Sequence, residues 1–248
     1  MKNTLKSLPL ITLFFASFLT LSFAFPGSIT KSVGASASPS RDVMPAGATT
    51  AVAGKSAYDS LHLDMSGLNR QAFDYALKGM EKLKNAGKIT NESIVTIVDF
   101  SQPSSKKRLY IVDIKNYKVL FNTWVAHGRN SGLQWAKSLS NTLSSFKSSP
   151  GFYITGQTYM GGNGYSLRLN GMEKGINDLA EERAIVMHGA DYVSEAFIRS
   201  RGYIGRSFGC PAVSVREAAP IINTIKNGTC LFIYHPDKSY AQRSQILS

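Results

Sequence analysis

Arg183-Ala-Ile-Val-Met-His188-Gly189 and, after a short insert, Gly205-Arg206-Ser207-Phe208-Gly209-Cys210-Pro211-Ala212-Val213-Ser214 decide how this chain is read. Ala184 to Met187 is an apolar run that stops at a glycine, so His188 falls where a buried strand opens into a loop. Cys210 sits between Gly209 and Pro211, and the proline biases it toward an extended backbone, which fixes the thiol in a stiff turn. Cysteine catalysis needs a nucleophilic sulfur, a base and donors for an oxyanion, and these two residues can supply the first two. The insert predicts one helix over 191–201: Asp191 suits the N-cap, Tyr192, Val193, Ala196 and Phe197 form an apolar side, and Gly202 ends it. A satisfied core histidine and a small buried cysteine are the plainer reading of either residue alone. Their shared punctuation, His-Gly and Gly-Cys, favours catalysis.

Upstream lie Val125-Ala126-His127-Gly128 and Ser149-Pro150-Gly151-Phe152-Tyr153-Ile154. With the His188 and Ser207-Phe208-Gly209-Cys210 segments, they resemble the bacterial L,D-transpeptidases of the YkuD type. That family carries a His, a spacer and Ser/Thr-His-Gly-Cys, preceded by a strand ending in Gly and by Thr-Pro-x-Gly-x-Phe. The match covers about Ile94 to His235. Phe208 replaces the motif histidine, the spacer after His188 is slightly long, and Pro211-Ala212-Val213 stands where an Arg or Asn usually follows the cysteine. Gly-Cys-Pro-Ala-Val after Gly-Arg-Ser resembles a divergent branch of murein L,D-transpeptidase catalytic domains.

The resemblance implies a mainly β fold with flanking helices, an L,D-transpeptidase-like β-sandwich catalytic domain preceded by an N-terminal helix. It also implies acyl transfer on peptidoglycan stem peptides without a cofactor: Cys210 attacks the L-centre carbonyl, and His188 is the base, oriented by the Gly189 carbonyl. The Gly209 and Cys210 amides form the oxyanion hole. Arg206 and Arg168 are candidates for a substrate carboxylate because guanidinium binds it as a fork, and surface solvation explains them equally well. Ser207 and His127 complete the expected cleft, with His127 ranked below His188 as a rival base.

Lys2 and Lys6 precede an apolar stretch, Leu8 to Phe25, with Ser22-Phe23-Ala24 as a small-residue cleavage site, which predicts an export signal over 1–24 rather than a retained anchor. Residues 25–57 are rich in Ser, Ala, Gly and Thr and are expected to be a flexible linker. Residues 58–93 are expected to be a helical brace, with Leu68, Ala72, Phe73, Ala76, Leu77, Met80 and Leu83 recurring at three and four and Gly87 as the stop. Residues 94–238 form the expected catalytic domain and 239–248 a tail. Within the domain, Ile94–Phe100, Leu109–Ile114 and Val119–Ala126 predict antiparallel strands, and 129–149 a long loop bordering the cleft. A hairpin loop is expected at Gly156 to Tyr165. Ser214 and Glu217 predict a capping box for a helix to about Lys226 that Pro220 kinks or displaces.

The formal charge is +12, which favours anionic envelope polymers and membranes as electrostatic partners of an exported monomer in the periplasm or envelope. The charge is diffuse, with no basic helix or aromatic platform, which argues against nucleic acid. His62, His127, His188 and His235 are scattered without metal-ligand spacing. Two cysteines in an exported chain also fit a Cys210 to Cys230 disulfide, which would leave a non-catalytic wall-binding module. Within enzymes the alternative is an L,D-carboxypeptidase, in which water resolves the acyl-enzyme.

Overall fold

The computed structural model describes residues 57–248; the expected signal at 1–24 and nearly all of the expected linker lie outside them. Eight strands form one sheet in the order β3-β2-β1-β8-β4-β5-β6-β7. They are β1 (Ile94–Asp99), β2 (Leu109–Asp113), β3 (Lys118–Thr123), β4 (Gly151–Gly161), β5 (Gly164–Gly171), β6 (Val186–Gly189), β7 (Ala212–Val213) and β8 (Cys230–Tyr234). Helices α1 (Arg70–Asn85), α2 (Glu195–Arg201), α3 (Val215–Ile225) and α4 (Lys238–Arg243) flank the sheet. β1, β2 and β3 are antiparallel neighbours, but β1 pairs in parallel with β8, as does β6 with β7.

Side chains alternate across a strand, and both faces of this sheet are covered. Ile97, Tyr110 and Phe232 face a cluster shared with Phe73, Ala76 and Met80 of α1. Their neighbours Val98, Leu109, Ile111, Leu231 and Ile233 face a second cluster with Ala218, Ile221, Ile222 and Ile225 of α3. This is why the central strands read as unbroken apolar runs rather than as alternating ones. Asn69 caps α1 by accepting from the amides of Gln71 and Ala72 at 2.9 and 3.3 Å.

Several expectations are corrected. The last ten residues, expected as a tail, pack on the domain, where α4 and the turn after it bury Tyr240, Ile246 and Leu247 in the α1-side cluster. Tyr240 also donates to the buried Glu173 carboxylate at 2.9 Å. The expected loop from Gly156 to Tyr165 is almost all strand, with only Gly162 and Asn163 turning between the paired Gly161 and Gly164. The helix expected from Asp191 begins at Glu195, because Ser194 accepts from the Phe197 amide and the Tyr192 carbonyl is taken by the Gly205 amide at 2.7 Å. Pro220 lies inside α3 without ending it, on the exposed side, where water can solvate the carbonyl deprived of its donor. The Ser214 hydroxyl donates to Glu217 at 2.6 Å, so that pair is joined through side chains and caps no backbone amide.

Candidate active site

Strands β5, β6 and β7 bring the two halves of the decisive stretch together. Ser166 pairs with His188 on one side, and His188 pairs with Ala212 on the other, two residues past Cys210. Between them the chain leaves β6, forms α2, stops at Gly202 in a left-handed conformation (φ 81°) and returns. The segment before the loop closes the site from a third direction: Ala126 bridges Ala212, and Gly128 bridges Ser207.

The half-buried sulfur of Cys210 accepts the Val186 amide at 3.5 Å, and its S–H donates to the Ala184 carbonyl at 3.6 Å. Burial pushes the thiol pKa above its ordinary value, while the Val186 amide and the Arg183 charge pull the other way. The resting group is therefore a thiol at neutral pH. A base is needed to turn such a thiol into a nucleophile. Gly209 has φ 128°, and a Cβ there would meet Ile185 Cδ1 at 2.8 Å and the Lys147 carbonyl at 2.9 Å, so only glycine makes this turn.

The two expected oxyanion donors differ. The Gly209 amide donates to Ser207 Oγ at 3.0 Å, and Ser207 Oγ donates in turn to the Cys210 carbonyl at 2.7 Å. Ser207 is thus buried as a brace of the turn rather than presented to a substrate. Among the described residues the Cys210 amide has no acceptor in another residue and lies beside its own sulfur. Cys230 lies in β8 against the α1-side cluster, whereas Cys210 packs on the α3-side cluster. Both are free thiols on opposite faces of the sheet, which removes the disulfide reading.

The two His-Gly segments look alike in sequence and differ in structure. His188 Nδ1–H donates to the Gly189 carbonyl at 2.9 Å, which leaves Nε2 with a lone pair and the ring in the tautomer of a base. His127 is wholly buried, and Arg108 Nη2 donates to its Nδ1 at 2.6 Å while its Nε2 donates to the Gly132 carbonyl at 3.3 Å. Burial, then the Arg108 charge, lowers its pKa to about 3. With no exposed edge and no free nitrogen, His127 neither lines the cleft nor serves as a base. It and the buried Arg108, which also donates twice to the Val125 carbonyl, hold the strand end that supports the Cys210 turn.

Three arginines lie on the segments around the turn, and of these only the Arg183 charge acts on the sulfur. Arg168, on β5 opposite Val186, lies over the Tyr159 ring at 4.8 Å and lines a cleft of about 70 Å³ with Ala184 and Val186, the residues that hold the sulfur. Arg206 Nη1 donates to the carbonyls of Arg129 and Gly132, each at 3.1 Å. Arg183, to which the sequence reading gave no role, donates to the carbonyls of Ser140 and Lys147 and to Ser149 Oγ. It thereby anchors the expected cleft loop beneath the turn, where Ser148 Oγ also donates to the Gly209 carbonyl at 2.9 Å. Among the described residues none of these arginines is ion-paired with a carboxylate. A larger hollow of about 240 Å³, lined by Lys137, Pro150, His235 and Tyr240 among others, contains none of the expected site residues. No cluster of metal-binding side chains occurs among the described residues.

The model of the L,D-transpeptidase catalytic domain matches residues 64–234, and the chain belongs to that family. No curated protein matches it. Among solved structures, an L,D-transpeptidase from Mycobacterium smegmatis is 13% identical, with 58% of this chain and 59% of that one covered and a TM-score of 0.36. The helical cell shape determining protein Pgp2 from Campylobacter jejuni is 15% identical over 65% and 57% of the two chains, TM-score 0.39. An L,D-transpeptidase from Stackebrandtia nassauensis is 14% identical over 65% and 67%, TM-score 0.35. The chain thus spans about three fifths of the length of the first of these.

Proposed function

We propose that this chain is a peptidoglycan L,D-transpeptidase that works through a cysteine acyl-enzyme. The observation that carries the reading is the tautomer of His188: with Nδ1–H committed to the Gly189 carbonyl, Nε2 is left as the acceptor on the strand next to the Cys210 turn. In this reading Nε2 takes the thiol proton as the sulfur attacks the carbonyl carbon of the L-centre in a stem peptide, typically diaminopimelate followed by D-Ala. The Cys210 amide stabilises the oxyanion. The Gly209 amide joins it only if Ser207 Oγ turns away. Collapse breaks the C–N bond, and His188 returns the proton to the departing amine. An acceptor amine then attacks the thioester and restores the thiol.

The acceptor decides the product. An amine gives a cross-link, and water gives the carboxypeptidase reaction from the same intermediate. The proposed setting is the periplasm or envelope, reached through the signal at 1–24, where a basic monomer meets anionic polymers. Cys210→Ala and His188→Ala should each abolish turnover of purified tetrapeptide stems while leaving the circular dichroism spectrum unchanged. Turnover by folded Cys210→Ala would end the reading.

A further inference from the structure

We infer that Arg129, packed against Phe146 and Phe208, forms a carboxylate-binding subsite at the Cys210 turn, an inference that rests on the acyl-transfer reading above. The Arg129 amide donates to the Ser207 carbonyl at 2.7 Å, which pins the residue to the turn that carries the nucleophile. Its guanidinium lies 4.4 Å from the centroid of the Phe146 ring and 4.7 Å from that of Phe208, and the two rings are 5.1 Å apart. Phe208 is 63% exposed, which is unusual for a phenylalanine four residues before a buried sheet strand. Phe146 is held at φ 53°, a left-handed conformation that a bulky side chain adopts only when its surroundings impose it. The Asn130 amide, donating to the Phe146 carbonyl, and Gly128, where a Cβ would meet that carbonyl at 2.4 Å, fix the backbone there.

Aromatic rings hold a guanidinium through its faces and leave its N–H edges untouched. Among the described residues the Arg129 side chain makes no hydrogen bond and no ion pair, so the donor fork is intact. The neighbouring arginines differ. Arg206 spends one nitrogen on loop carbonyls, including that of Arg129, and Arg183 spends both terminal nitrogens on the 140–149 loop. An exposed, unpaired fork held against two rings binds a carboxylate bidentately and at reduced entropic cost. Stem peptides offer two such groups near the scissile bond, the C-terminal carboxylate and that of the diaminopimelate side chain.

The test is a cycle between enzyme and substrate, using the full chain with three synthetic tetrapeptide stems: unmodified, C-terminally amidated, and amidated on the diaminopimelate side chain. One of the two amidations should raise KM for the wild type on the order of tenfold, with a smaller effect on kcat, and the one that does so identifies the carboxylate. Arg129→Gln should raise KM for the unmodified stem by a similar factor and be indifferent to that amidation. Phe208→Ala, at an exposed position, should weaken the same discrimination by removing one ring contact while the guanidinium itself remains. An Arg129→Gln enzyme that retains the wild-type response to both amidations overturns the subsite alone. A wild type that turns over none of the three stems overturns the acyl-transfer reading, and the subsite falls with it.

Discussion

Replacing His127 by asparagine separates the two histidines by thermodynamics rather than by activity. Asparagine cannot titrate but keeps an acceptor facing Arg108 Nη2, the donor that His127 Nδ1 accepts at 2.6 Å. In the folded chain burial, then the charges of Arg108 and, more weakly, Arg206 oppose protonation, and the Gly132 carbonyl offsets only part of this. The pKa accordingly falls from 6.5 to about 3. Above 6.5 the ring is neutral in both states and contributes no slope. Between 6.5 and about 3 the unfolded chain binds a proton that the folded chain refuses, so stability is lost as pH falls, and below 3 the loss levels off. One proton is about 1.4 kcal/mol per pH unit, or roughly 2.5 kcal/mol between pH 6 and pH 4. At pH 7 the variant should be less stable by about 1–3 kcal/mol, because it loses the edge contact of the ring with Phe100. Its stability should then fall less steeply with acid, so that the two curves approach. Urea unfolding followed by circular dichroism at half-unit steps reads both slopes. Parallel curves would mean that folded His127 takes up a proton normally, and it would return as a rival base.

Arg183→Gln should slow iodoacetamide alkylation of Cys210 at neutral pH and move the rate profile to higher pH, since the Arg183 charge favours the thiolate; an unmoved profile would leave Arg183 only its hold on the loop. Cys230→Ala should cost about 1–2 kcal/mol by leaving a small void in the central strand, and activity measured well below the melting temperature should be retained. A loss of turnover in folded Cys230→Ala would show that the assignment of the two thiols is mistaken.

Much of this architecture was legible because it rests on local patterns. The β1 and β2 runs announce buried strands, and the short path from His188 through α2 to Cys210 needs no distant partner. What escaped reading depends on contacts far apart in sequence. The parallel pairing of β1 with β8 joins Val95 to Cys230, and no local periodicity encodes that register. His127 precedes a glycine just as His188 does, and only the guanidinium of Arg108 beside it reveals a structural role. Arg129 escaped notice because its meaning comes from Phe146 and Phe208, which reach it from two different loops. The Gly209 amide could not be known to be occupied until Ser207 Oγ was seen folded back on it. Tyr240, Ile246 and Leu247 are thinly spaced in a polar segment, so their docking left no periodic signal.

The covalent intermediate is the most direct test of the account. Intact-protein mass spectrometry during turnover of a tetrapeptide stem should reveal an adduct whose added mass equals that of the stem minus the terminal amino acid released as the free amine. Peptide mapping should place it on Cys210 and not on Cys230, and His188→Ala should fail to accumulate it while His127→Asn does so. Turnover with no adduct under rapid acid quenching, or an adduct on any other residue, would contradict the assignment of Cys210 as the nucleophile.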